Sequence, residues 1–126
     1  MRIEHVALWV NELEKVRKFY EIWFGCTSNE KYDNLKKGFE SYFLTFDDGA
    51  RLEIMRKKGI EGAVQHETAG YAHIALSLGT KESVDELTEK MRENGIIIAG
   101  EPRTTGDGYY ESVVEDPEGN LIELTV

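Results

Sequence analysis

Hydrophobic and polar positions alternate at the start of the chain. Over residues 2–10, Val6, Leu8 and Val10 fall on one side and His5, Ala7 and Trp9 on the other. That two-residue period predicts a strand with one face packed and the other free for chemistry. The period then changes. Leu13, Val16, Phe19, Tyr20 and Trp23 recur at helical spacing, Gly25 ends the run, and Asn11 stands where it can cap the helix start. Residues 39–46 and 51–56 return to strand character on either side of the turn residues Asp47-Asp48-Gly49-Ala50. Residues 57–70 contain Gly59, Gly62 and Gly70 without a clear period, and read as a connector.

The first pattern then starts again. Over residues 71–78, Ile74, Leu76 and Leu78 oppose His73, Ala75 and Ser77. A helix is predicted over about 81–94, closed by Gly95. Strands follow at 96–99, 109–115 and 120–126, the last two separated by the turn Asp116-Pro117-Glu118-Gly119. Motifs match across the halves. His5-Val6-Ala7-Leu8 pairs with His73-Ile74-Ala75-Leu76, and the segment 48–54 pairs with 118–124, so that Glu53 corresponds to Glu123. The prediction is one α+β domain over 1–126. It consists of two repeated βαβββ units, 1–56 and 71–126, joined by 57–70. Their strands are expected to form a curved mixed sheet with the helices on its outer face.

Composition narrows the possible functions. With 40% hydrophobic and 31% charged residues in 126, the chain can bury a core without disulfides. A net charge of −9 argues against a nucleic-acid partner and against anionic membrane surfaces. Lys36-Lys37 and Arg56-Lys57-Lys58 are local exceptions, read as solvated loop charges. Cys26 has no second cysteine to pair with and is expected to be buried rather than reactive. The charged start Met1-Arg2-Ile3-Glu4-His5 does not resemble a signal peptide, and no apolar run approaches a membrane span. A cytoplasmic protein is the expectation.

Candidate chemistry comes from the repeat. Each unit places a His on its first strand and a Glu on its last. Leu52 and Ile54 flank Glu53, and Ile122 and Leu124 flank Glu123. If those apolar neighbours pack under the helices, strand alternation turns His5, Glu53, His73 and Glu123 to the unpacked faces. A single strand His or Glu is usually an ordinary polar residue; the repeat is what correlates these four. Two imidazoles and two carboxylates suit one divalent ion such as Zn²⁺ or Ni²⁺, with open positions for water or substrate oxygens. His66, in the connector, is expected to be an exposed loop residue. Trp9, Tyr109 and Tyr110 are candidate substrate-binding residues. Phe39 and Tyr42 are better read as packing residues. The segment 104–108 is either a loop that closes over substrate or a hairpin connection.

These stretches resemble the vicinal oxygen chelate superfamily, which includes glyoxalase I, epimerases, extradiol dioxygenases and antibiotic-resistance proteins. The resemblance rests on four motifs in order: His5-Val6-Ala7-Leu8, Phe19-Tyr20 through Phe24-Gly25, Gly70-Tyr71-Ala72-His73-Ile74-Ala75-Leu76, and residues 114–124. It spans nearly the whole chain. The quartet His5, Glu53, His73 and Glu123 is similar to the metal ligands of bacterial glyoxalase I. That similarity implies a metal-dependent isomerase of the lactoylglutathione lyase type. It would act on a small hydroxycarbonyl or hemithioacetal through an enediolate, with Glu123 or Glu53 as the base. It also implies a homodimer, often with ligands contributed by both chains. Where the family carries an Arg that helps bind glutathione, this chain has Trp9, so the thiol is left open. The alternatives are an epimerase or dioxygenase on the same scaffold, or a small-molecule binder without catalysis.

Overall fold

The computed structural model describes all 126 residues. The chain divides into two compact units, Met1–Ala63 and Val64–Val126.

In the first unit, β1 (His5–Trp9) is followed by α1 (Leu13–Phe24), β2 (Thr27–Ser28), β3 (Tyr32–Asn34), β4 (Phe39–Thr45) and β5 (Arg51–Lys57). β1 runs parallel to β5, β4 lies antiparallel to β5, and both β2 and β3 pair with β4. The place expected to hold one strand before β4 is thus occupied by two short ones. At two and three residues they are too brief to show a period in the sequence. α1 buries Leu13, Val16, Phe19 and Tyr20, and β5 buries Leu52 and Ile54. The β4 residue Tyr42 reaches this helix, donating its hydroxyl to Glu14 at 2.9 Å, with the Arg17 guanidinium 5.2 Å from its ring centre. Tyr42 is therefore a packing residue. Gly25 closes α1 at φ 63°, a left-handed conformation that glycine adopts without a Cβ penalty, and donates its N–H to the Glu21 carbonyl.

Asn11 stands one residue before the N-cap position of α1. The N-cap is Glu12, which makes no side-chain cap bond. The Asn11 side chain also reaches Gly62, donating to its carbonyl at 3.0 Å and accepting from its N–H at 3.3 Å. Cys26 is 5% exposed, and burial, with the nearby Glu21 charge, pushes its thiol up to about 11. A thiol so rarely ionised is a poor nucleophile at neutral pH.

The second unit runs β6 (His73–Ser77), α2 (Lys81–Glu93), β7 (Ile98–Thr104), β8 (Tyr110–Glu115) and β9 (Leu121–Thr125), in the βαβββ order. Its sheet has the strand order β6-β9-β8-β7, with β6 parallel to β9 and the other pairs antiparallel. Thr80 caps α2 by accepting the Ser83 N–H at 3.1 Å. Val84 and Met91 of α2 pack with Val114, Ile122 and Leu124 in the fully buried core. Two polar residues share that core at little cost because they satisfy each other: the Thr88 and Ser112 hydroxyls meet at 2.7 Å. β7 extends further than its apolar residues predict. It is an edge strand, so Pro102 can lack an N–H there, and register shifts around Gly100 absorb the irregularity.

Two turns order the remaining backbone. Segment 104–108 is a hairpin connection: Thr104 pairs with Tyr110, and the Thr105 N–H donates to the Tyr109 carbonyl at 2.8 Å. The turn before β9 is organised by Asp116, which is 5% exposed. Its Oδ1 accepts the N–H groups of Glu118 and Asn120, each at 2.9 Å, and its Oδ2 accepts the Asn120 side-chain amide at 2.8 Å. His66 is exposed and its Nε2 lies 2.7 Å from the Gly119 carbonyl, so that nitrogen carries the proton. No helix is long and apolar enough to cross a membrane.

Candidate metal centre

Register places the candidate side chains. In the first unit Ala7 lies beside Glu53 and His5 beside Arg51, so His5, Glu53 and Arg51 share one face of the sheet. Leu52 and Ile54 on the other face are 3% and 0% exposed. The His5 Nε2 and a Glu53 carboxylate oxygen are 3.9 Å apart. In the second unit the same register holds, with Ala75 beside Glu123. There the His73 Nε2 is 3.3 Å from a Glu123 oxygen. Each unit therefore joins one His to one Glu. Neither unit by itself brings three or more His, Cys, Asp or Glu side chains into an arrangement that could hold a metal ion.

The donor set of each pair fits a divalent ion. A metal bound at about 2.1 Å to one nitrogen and one oxygen sets them roughly 3 Å apart. His73 and Glu123 stand close to that spacing. His5 and Glu53 need to close by about 1 Å.

Neighbours prepare the two pairs differently. Glu4 accepts from His5 Nδ1 at 2.5 Å, and Arg51 holds the same Glu4 carboxylate through its Nε at 2.8 Å. These bonds from His5 and Arg51 hold the Glu4 carboxyl below its ordinary range. A proton fixed on Nδ1 leaves the Nε2 lone pair facing Glu53, the tautomer a metal ligand needs. Phe43 braces the arrangement, with its ring 5.3 Å from the His5 ring and 4.2 Å from the Arg51 guanidinium. In the second unit Ala72 precedes the His. There the neighbour is Glu111, whose carboxyl is raised by burial and by the Glu123 charge. Arg103 lies 3.6 Å from Glu111 and partly offsets this. The sequence reading missed Glu4 and Glu111. The signal for Glu111 is its strand phase: like Val113, which pairs with Glu123, it lies on the Glu123 face.

The three candidate substrate-binding aromatics stand in different local surroundings. Trp9 is on the His5 face, 43% exposed. Tyr109 is 60% exposed at the hairpin connection. Tyr110 turns to the other face of its sheet, donating to Asp85 of α2 at 2.6 Å under the Lys81 ammonium. Its hydroxyl is committed to the helix, on the side away from Glu123.

Sheet order, one helix and one His–Glu pair in each unit define an α+β protein of repeated βαβββ units. Comparison with known proteins shows which. The model of the Glyoxalase/Bleomycin resistance protein/Dioxygenase superfamily matches residues 2–124, and the chain belongs to that superfamily. It is 30% identical over 123 residues to the uncharacterized protein YwbC of Bacillus subtilis, covering 98% of this chain and 95% of that one. It is 29% identical over 128 residues to the lactoylglutathione lyase of Haemophilus influenzae, covering 98% and 91%. Among solved structures it is similar to the trypanothione-dependent glyoxalase I of Leishmania major. That match has 28% identity and a TM-score of 0.80, over 99% of this chain and 86% of that one.

Proposed function

We propose that the protein is a metal-dependent isomerase of the glyoxalase I type, converting a small hydroxycarbonyl or hemithioacetal. The observation that carries this reading is the matched His–Glu pair in each unit, His5 with Glu53 and His73 with Glu123. The four would hold one Zn²⁺ or Ni²⁺ between two chains of a homodimer, each chain supplying one pair from each of its units. Such a dimer has two equivalent sites. When bound, the ion supplies Lewis acidity at the substrate carbonyl.

The chain's own residues do the rest. A Glu carboxylate takes the proton from the carbon beside the carbonyl and returns it to the neighbouring carbon, so no proton is gained or lost overall. Glu123 is the preferred base, by resemblance to the family. Glu53 is the alternative. Glu4 keeps the His5 tautomer fixed throughout.

The reading is tested by metal analysis of protein purified without chelator, combined with hemithioacetal isomerisation assays using glutathione and other thiols. One bound divalent ion per chain and turnover with at least one thiol are expected. Metal-free protein with no thermal stabilisation by Zn²⁺ or Ni²⁺ points instead to a non-catalytic binder. Glu4→Ala is expected to weaken metal binding by roughly 10- to 100-fold, the usual effect of losing a carboxylate behind a ligating His. Equilibrium metal competition measures this, and unchanged affinity removes Glu4 from the positioning role.

A further inference from the structure

The first unit carries a groove that the metal pair does not use. Its volume is about 330 Å³, and it is lined by Trp9, Tyr32, Asn34, Lys37, Phe39 and Lys57. That volume is at the lower end of small-molecule sites.

Register explains how these residues meet. Asn34 pairs with Phe39 and Phe39 with Lys57, forming one row across β3, β4 and β5. Tyr32, Ser41, Met55 and Trp9 form the next row. Paired residues share a face, so both rows lie on the face that carries Glu53 and His5. Along β5, Met55 is about 7 Å and Lys57 about 13 Å beyond Glu53. The tight turn between β3 and β4 brings Lys37 to the groove. It is tied to the end of β5 by the Lys58 N–H, which donates to the Gly38 carbonyl at 3.0 Å.

Phe39 forms the floor. Trp9 meets it edge-on, with centroids 6.1 Å apart, and Tyr32 leans over it at 5.9 Å. Core packing does not account for the walls, since Trp9 is 43% and Tyr32 53% exposed. Asn34 is occupied in holding the shape: its amide donates to the Tyr32 hydroxyl at 3.3 Å and its Oδ1 accepts the Lys37 N–H at 3.2 Å. The two lysine ammoniums are not. In a chain of net charge −9, neither Lys37 nor Lys57 has a carboxylate within 4.0 Å, whereas Lys15 and Lys31 do. Two uncommitted cations beside exposed aromatic walls disfavour a cationic ligand and favour an anionic one.

We propose that this groove is a recognition site for an aromatic ring carrying an anionic group, with the ring stacked among Trp9, Phe39 and Tyr32 and the anion between Lys37 and Lys57. The anion is a carboxylate or a phosphate. The groove's part in turnover, as the holder of a substrate's non-reacting end, rests on the isomerase reading. The binding itself requires no metal.

The test is calorimetric titration of chelator-treated full-length protein with phenyl phosphate, phenylacetate, benzyl alcohol and inorganic phosphate. Phenyl phosphate, phenylacetate or both are expected to bind more tightly than benzyl alcohol and inorganic phosphate, and their ranking separates the two anions. The double variant Lys37→Gln/Lys57→Gln should weaken the tighter aromatic anion by about tenfold, with little change for benzyl alcohol. Trp9→Phe, which keeps a ring, should retain binding that Trp9→Ala loses. Lys90→Gln on α2 is the charge control. The proposal is overturned if neither aromatic anion exceeds benzyl alcohol, or if the double lysine variant binds like the wild type. Those results leave the metal reading intact. Loss of the metal reading, in turn, does not touch binding measured without metal.

Discussion

Glu53→Gln and Glu123→Gln are each expected to lower metal affinity or abolish isomerase turnover, with a combined effect on metal binding and rate larger than the roughly 10- to 100-fold loss expected behind a ligating His. Both carboxylates are on strand positions whose apolar neighbours are buried, with side chains 15% and 16% exposed and a His Nε2 within 4 Å. Glutamine preserves size and one oxygen but removes the charge and the proton acceptor, so folding should survive while the chemistry does not. Mixing the two variants adds a sharper test. In a dimer that takes one His–Glu pair from each chain, a mixed dimer has one site with all four native ligands and one lacking both carboxylates. Subunit exchange should then restore activity to about a quarter of the wild-type value. If both variants keep full metal content and full activity, the quartet assignment is wrong. If each is inactive and mixing restores nothing, the sharing of sites between chains is wrong while the ligand set stands.

The second large effect is on stability. Asp116→Ala should destabilise the protein by about 3 kcal/mol, because it strands two backbone N–H groups and one side-chain amide in a mostly buried turn. The turn leads directly into β9, which carries Glu123 and contributes Ile122 and Leu124 to the core. Burial raises the Asp116 carboxyl despite the hydrogen bonds from Asn120 and the backbone that favour its charged form. Charge therefore contributes less here than the acceptor oxygens do. Asp116→Asn keeps an acceptor for the two N–H groups, and Asn120 can rotate its amide to match, so a loss of about 1 kcal/mol is expected. Urea denaturation monitored by circular dichroism measures both. An alanine variant within about 0.5 kcal/mol of the wild type would show that the turn does not depend on this side chain.

The repeat was legible because its signals are local and doubled. Strand alternation around His5 and His73, the helical spacing of Leu13, Val16, Phe19 and Tyr20, and the glycine after each helix each need only a few neighbouring residues. The faces of Glu53 and Glu123 followed from the apolar residues beside them. Short-range capping was less secure. Asn11 has the right chemistry for a helix start, but the N-cap position falls on its neighbour Glu12, and the Asn11 side chain also meets Gly62, fifty-one residues away in sequence. β2 and β3 escaped detection because so few residues cannot display a period; their pairing with β4 defines them.

By itself, then, the sequence determined the order of the longer elements, the apolar faces and the candidate quartet of His and Glu residues, since side-chain period and residue type are properties of the chain. Tertiary structure decided which groups touch. It joined His5 to Glu53 and His73 to Glu123, set Glu4 behind one His and Glu111 beside one Glu, and turned Tyr110 toward α2. It also set Trp9, Phe39 and Tyr32 around a groove with two free lysines. The reason is physical: cross-strand register, fixed by long-range hydrogen bonding, sets neighbours that sequence spacing does not contain.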